Sequence, residues 1–132
     1  MTGTPIHFEI HADHVERAKT FYATVFGWTF EDYSEYTGSP YFGVTTGEKS
    51  ELGINGGFML RKGDAPSAET PVTGFVCTMG VESYDQAHQT ILAAGGSVAL
   101  EKYALPGMAW QGYYHDTEGN IFGIHEPDEN AQ

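Results

Sequence analysis

The chain is short of basic residues and almost free of cysteine, and both shortages exclude functions. Lys and Arg together number 6 of 132 residues against 18 Asp and Glu, a formal net charge of −12. So little positive charge cannot neutralise a phosphate backbone, which excludes nucleic acid as a partner. Acidity of this kind favours solubility, and only Arg61, Lys62 and Lys102 offer a local basic site. The single cysteine, Cys77, rules out an internal disulfide framework; inside the apolar-rich "GFVCTMGV" it is expected to be a buried, inert thiol. No stretch has the length and apolarity of a membrane span, so no membrane partner is expected. The start, "MTGTPIHFEIHADH", lacks the basic and apolar regions of a secretory leader, and a cytoplasmic setting fits best. Glycine-rich phosphate loops, a G-x-S-x-G elbow and C-x-x-C pairs are also missing.

What is present is a pattern of short strands and two helices, on a chain of ordinary length for one domain, 132 residues. In "IHFEIHA" the apolar Ile6, Phe8 and Ile10 alternate with His7, Glu9 and His11, the period of a strand with one face on a core. Asp13 stands where an N-cap belongs, with Glu16 completing a capping box. A helix follows, with Val15, Ala18, Tyr22 and Val25 as its apolar stripe, Phe21 and Phe26 beside them, and Gly27 as its stop. The second half repeats the plan. "GFVCTMGV" reads as a strand, Ser83 with Gln86 as a second capping box, and Tyr84, Ala87, Ile91 and Ala94 as a second stripe ended by Gly95 and Gly96. Strand-like segments follow each helix: "TFEDYS", "YFGVTTG" and "GINGGFML", then "SVALEKYAL", "AWQGYYH" and "NIFGIHE".

The fold class is therefore α+β: two βαβββ modules, about 4–62 and 72–127, joined by a Pro-, Ser- and Gly-containing linker at about 63–71. One helix covers only one face of each sheet. The modules are expected to pack as a curved mixed sheet enclosing a cleft, with the helices outside and a small molecule in the concavity.

Two stretches carry a resemblance to a known family. "HFEIHADHVERAKTFYATVFGW" (His7 to Trp28) and "DTEGNIFGIHE" (Asp116 to Glu126), in this order and with the repeated plan, resemble the vicinal oxygen chelate superfamily of glyoxalase I, bleomycin-resistance proteins and extradiol dioxygenases. The closest likeness is to the glyoxalase-like predicted enzymes. The resemblance implies a homodimer and four metal ligands, one on the first and one on the last strand of each module. Those positions fall on His7, within Asn55 to Gly57, on or near Val76, and on Gly123. Only His7 is a competent ligand, and one donor cannot hold a divalent ion. No metal is expected at the full family site.

Could neighbouring residues rebuild it? His7 and His11 start about 13 Å apart along a strand, too far for one ion. His125, two residues beyond Gly123, could join His7 and Glu9 in a facial triad. Two other readings stand beside that one. The histidines and Glu9 form a hydrogen-bonded polar lining, or His7 or Glu9 acts as a hydrogen-bond partner or general acid/base in a metal-free pocket, with His11, Asn55, Trp110 and His125 as ligand-binding residues. His14 and His88 fall on helices and are expected in solvent; His115, beside the "DTEG" turn, is expected to be structural. Trp28 is expected in the core, Trp110 as a stacking platform between Gly107 and Gly112. Tyr113 and Tyr114 must face opposite ways, and Gly56 with Gly57 marks a bulge or a close approach. The functions consistent with these residues are a metal-independent lyase or isomerase acting on a small molecule, a non-catalytic binder of an antibiotic or aromatic compound, or a metal-dependent oxygenase on the rebuilt triad. A divalent metal is left open but not favoured.

Overall fold

The computed structural model of the chain describes residue 3 and residues 5–48 and 52–132. They form two compact units, Met1–Ala65 and Pro66–Gln132, each an open, mixed four-stranded sheet. Unit 1 runs β1 (Phe8–Ala12), α1 (Val15–Phe26), β2 (Thr29–Asp32), α2 (Ser34–Thr37), β3 (Tyr41–Thr45) and β4 (Gly56–Leu60). Unit 2 runs β5 (Thr78–Gly80), α3 (Tyr84–Ala93), β6 (Ser97–Leu105), β7 (Ala109–His115) and β8 (Ile121–Pro127). The sheet orders are β1-β4-β3-β2 and β5-β8-β7-β6, with the first and last strands of each unit parallel and the other pairs antiparallel. The βαβββ plan is thus present twice, with the single turn of α2 added to the first copy. Among the described residues no helix is long and apolar enough to cross a membrane.

In unit 1 the alternation of β1 sorts its residues as expected, Ala12 being buried and Glu9 and His11 exposed. Val15, Ala18, Phe21 and Tyr22 are the buried stripe of α1, while Val25 and Phe26 are half-buried. Tyr22 stacks on Trp28 with ring centres 4.7 Å apart and planes at 10°, and meets Phe58 edge-on at 5.4 Å. Aromatic contacts of this kind add to the burial of the rings themselves. Gly27 ends the helix at φ 72°, its N–H donating to the Ala23 carbonyl. The start of α1 departs from expectation. Its N-cap is His14, with no side-chain cap bond, because the Asp13 carboxylate accepts instead from Arg61 Nε at 3.2 Å. Arg61 also donates to the carbonyls of His11 and Ala12, so its side chain and backbone tie the end of β4 to the end of β1.

In unit 2 the second capping box is half formed: Ser83 Oγ accepts from Gln86 N–H at 3.2 Å. Tyr84 and Ile91 are buried and pack with Tyr114, Phe122 and Ile124 as the core of this unit, while Ala87 and Ala94 are half-buried. The strand expected over "GFVCTMGV" is only Thr78–Gly80, whose pairing with β8 opens where the Gly123 N–H donates to the Cys77 carbonyl. Phe75 before it is fully exposed, and Cys77 is exposed rather than buried. Enough protein still surrounds that thiol for desolvation to raise its pKa, so it is a weak nucleophile despite its exposure.

Two substitutions test this account by urea unfolding. Phe58→Ala removes the fully buried ring at the centre of the first sheet and is expected to cost about 3–5 kcal/mol. Ser83→Ala removes the cap of α3 and is expected to cost about 1 kcal/mol.

Candidate active site

The open face of the first sheet, opposite α1, is built on one row of four residues in register: Glu9 on β1, Gly57 on β4, Gly43 on β3 and Glu31 on β2. Neighbouring strands lie about 4.8 Å apart, so the row runs about 14 Å between its two glutamates. Its two central positions have no side chain, and two tyrosines fill the room. A Cβ on Gly57 would collide with the Tyr41 hydroxyl and lie 2.5 Å from its Cζ; one on Gly43 would lie 2.7 Å from Cε2 of Tyr33. Only glycine permits these approaches. This is the close approach foreseen at Gly57, and it is made by the chain's own ring.

Each tyrosine hydroxyl then donates to the glutamate at its end of the row, Tyr41 to Glu9 at 3.2 Å and Tyr33 to Glu31 at 2.9 Å. His7, exposed and just ahead of β1, sets Nε2 3.0 Å from the Tyr41 oxygen. Since that oxygen donates to Glu9, it accepts from His7, and Nε2 carries the proton. His11 Nε2 lies 3.7 Å from the other Glu9 oxygen. His7, Glu9 and His11 are thus brought together, with Tyr41 as their centre. Burial, then the charge and hydrogen bond of Glu9, hold the Tyr41 phenol above its ordinary pKa. Beside it opens a hollow of about 280 Å³, lined by His7, Glu31, Tyr33 and Tyr41 with Gly43, Val44, Thr45, Asn55 and Gly56. Asn55 stands at its rim, where Oδ1 accepts from the Thr46 N–H at 2.9 Å.

The remaining candidates lie in unit 2, on opposite faces of its sheet. Trp110 is on the helix side with Gly112 and Tyr114; its indole N–H donates to Asp128 at 3.0 Å and Lys102 Nζ sits 4.5 Å from its ring. His125 is on the open side, in register with Gln111, and donates Nδ1–H to Gln111 Oε1 at 2.8 Å. Of the two tyrosines whose facing was open, Tyr114 is buried and Tyr113 half-buried. His88, expected in solvent, is half-buried with Nδ1 2.8 Å from the Tyr114 hydroxyl, which donates to Tyr84 at 2.8 Å. Burial, reinforced by Tyr84, raises the Tyr114 pKa strongly.

Do these residues fit the metal that the resemblance implied? Among the described residues, no group of three or more His, Cys, Asp or Glu side chains is gathered to hold an ion. The individual positions agree. His7 Nε2 is protonated toward Tyr41, and the room at Gly57 is taken by that tyrosine. At Gly123 a Cβ would lie 2.8 Å from Thr78 Oγ1 and 3.0 Å from both Gln111 Nε2 and Tyr113 Cε1. The donor set does not fit the family's metal centre.

Tyr33, Tyr41, Glu31 and Gln111 were missed from the sequence. The available signal was glycine at 43, in phase with Tyr41 and Thr45 on β3, and at 57, out of phase with the apolar Phe58 on β4, where neighbouring side chains find room.

Residues 4–38 match the family model for the bleomycin resistance protein-like N-terminal region. No match was found among curated protein sequences. Among solved structures, the chain is similar to a glyoxalase/bleomycin resistance protein/dioxygenase family enzyme from Burkholderia phytofirmans PsJN, at 22% identity and TM-score 0.68 over 91% of this chain and 95% of that one. It is similar to a glyoxalase-related enzyme from Fulvimarina pelagi, at 18% identity and TM-score 0.66 over 94% and 88%. It also resembles the fosfomycin resistance protein FosX of Listeria monocytogenes, solved with Mn(II) and 1S,2S-dihydroxypropylphosphonic acid, at 16% identity and TM-score 0.70 over 95% and 90%. The likeness to the vicinal oxygen chelate superfamily therefore holds for the fold along the chain and for the sequence over residues 4–38.

The Tyr41 phenol provides a test by ultraviolet or NMR titration. Its midpoint is expected above the usual value of about 10 and lower in Glu9→Gln, where the neighbouring charge is gone but the burial stays. Gly57→Ala, which displaces the ring, is expected to bring it nearest to the usual value. A raised phenol pKa stabilises the fold fully below the unfolded value and loses that contribution as pH rises through the folded one. Tyr41→Phe is accordingly expected to flatten the alkaline limb of the stability curve.

Proposed function

We propose that this protein binds a small organic molecule, without a metal ion, on the open face of the first sheet. One observation carries the reading: Tyr41, which lines the hollow with His7 and lies over Gly57, joins His7 to Glu9 through its hydroxyl. A concavity with a few convergent polar groups and an aromatic floor is the usual form of a small-molecule site. Its polar groups hold one another in place before any ligand arrives, so little ordering cost falls on binding. The molecules with this fold named above include a resistance protein and enzymes, and binding of a small compound is common ground between the two.

A second reading, proton transfer to or from the bound molecule, is favoured by the sequence of contacts from His7 through Tyr41 to Glu9. An exposed imidazole linked to a carboxylate through a hydroxyl can receive a proton at its outer nitrogen while Nε2–H stays committed to Tyr41. In that reading His7 is the acid or base, and Tyr41 and Glu9 position it.

A fragment screen by two-dimensional NMR tests the proposal. Bound fragments are expected to shift the amides of Gly43 and Gly57, and excess EDTA is expected to leave their affinities unchanged. His7→Ala and Tyr41→Phe each remove a hydrogen-bonding group worth about 0.5–1.5 kcal/mol, so affinity should fall about two- to tenfold. Fragments that bind only around Gln111 and His125, or only after metal is added, would overturn it.

A further inference from the structure

The site has a charge character that its fold relatives do not dictate. The two ends of its central row are carboxylates, Glu9 and Glu31, and its middle is two tyrosine rings laid over Gly57 and Gly43. Among the described residues lining the hollow there is no Lys or Arg. Two basic residues of this unit have their partners away from the hollow. Lys19 is on α1, 4.1 Å from the Phe42 ring and 3.2 Å from Glu16, and Arg61 is paired with Asp13.

We infer that the ligand of this face is an organic cation, an ammonium or guanidinium group laid over Tyr33 and Tyr41 between Glu9 and Glu31. The inference rests on the binding site proposed above and adds the class of its ligand. The electron-rich face of a tyrosine attracts a cation within about 6 Å of the ring. Each hydroxyl hands its proton toward a carboxylate, at 3.2 Å for Tyr41 and 2.9 Å for Tyr33, which adds electron density to the ring and fixes its orientation. The glutamates supply the charge partner and the acidic chain, net −12, adds a favourable field. A phosphonate or carboxylate ligand meets the reverse: two like charges and no guanidinium fork to receive it.

Three aromatic probes of similar size separate the possibilities: benzyltrimethylammonium, benzyl alcohol and phenylphosphonate, each titrated while the Gly43 and Gly57 amides are followed by NMR. The cation is expected to bind about tenfold more tightly than the neutral alcohol. Its affinity is expected to fall several-fold in Glu31→Gln and in Tyr33→Leu, and to fall with added salt. Tyr41→Phe, which keeps the ring and loses the hydroxyl, is expected to reduce cation binding less than Tyr33→Leu. Equal or tighter binding of benzyl alcohol or phenylphosphonate at these amides would overturn the cation inference and leave the binding site standing. No shift at Gly43 or Gly57 with any of the three, in protein whose spectrum shows it folded, would overturn both.

Discussion

The alternation of side chains along β4 is the constraint on which the first unit depends. Phe58 points to the helix side, fully buried against Tyr22, Trp28 and Phe30. Gly57, its neighbour in the chain, must then point to the open side. There its missing side chain is what admits Tyr41. Core and site are consecutive residues of one strand, and a register slip of one residue would exchange them. The aromatic cluster that stabilises the sheet therefore also fixes which face carries His7, Glu9 and the two tyrosines. The clamp at the strand ends, Arg61 onto Asp13 and the His11 and Ala12 carbonyls, fixes the same register from the backbone.

Unit 2 uses glycine on both faces of its sheet. On the helix side, the room above Gly112 is taken by the Tyr84 hydroxyl, which comes from the first turn of α3 and accepts from Tyr114. The interior of this unit is thus a hydrogen-bonded sequence from His88 through Tyr114 to Tyr84, with every buried side-chain nitrogen and oxygen among the described residues satisfied. On the open side, Gly123 is surrounded by Thr78, Gln111 and Tyr113. Gln111 is itself buried at 5% exposure, and it orients His125. The two units share an arrangement of elements, but in unit 2 the Tyr114–Tyr84 hydroxyl pair lies on the helix side, whereas in unit 1 the Tyr41 and Tyr33 hydroxyls bond to glutamates on the open face.

The parts legible in the sequence were those set by local period and local chemistry. The alternation of Phe8 to Ala12, the stripe of α1, the stop at Gly27 and the Ser83 cap each need only a few consecutive residues. Failures came where a distant partner decided the outcome. Asp13 had the identity and spacing of a cap, but Arg61, 48 residues away, took its carboxylate. "GFVCTMGV" had the apolarity of a longer strand, yet its pairing with β8 begins only at Thr78 and Cys77 is exposed. His88 looked like a solvated helix residue because nothing local announces a tyrosine hydroxyl 26 residues on. The candidate site was half legible. His7, Glu9 and His11 were visible from their alternation, whereas Tyr41 and Tyr33 belong to the site only through cross-strand register.

The same register explains how the expected metal set differs from what the fold holds. The positions implied for the last-strand ligands, within Asn55 to Gly57 and at Gly123, include the open-face glycines of β4 and β8. Each has had its space filled by polar side chains from the antiparallel neighbour, Tyr41 from β3 in one unit and Gln111 and Tyr113 from β7 in the other. A carboxylate put back at either position would have to displace those groups, and a buried carboxylate without its ion or a hydrogen-bond donor is costly. The departure from a metal centre is therefore distributed over the neighbours of the missing ligands as well as the ligands themselves. In the first unit the group that moved in, a tyrosine hydroxyl held by a histidine and a glutamate, presents a ring where the implied centre would present an ion. A face that would have presented positive charge to a ligand presents negative charge and π density instead, which reverses the sign of the ligand it selects.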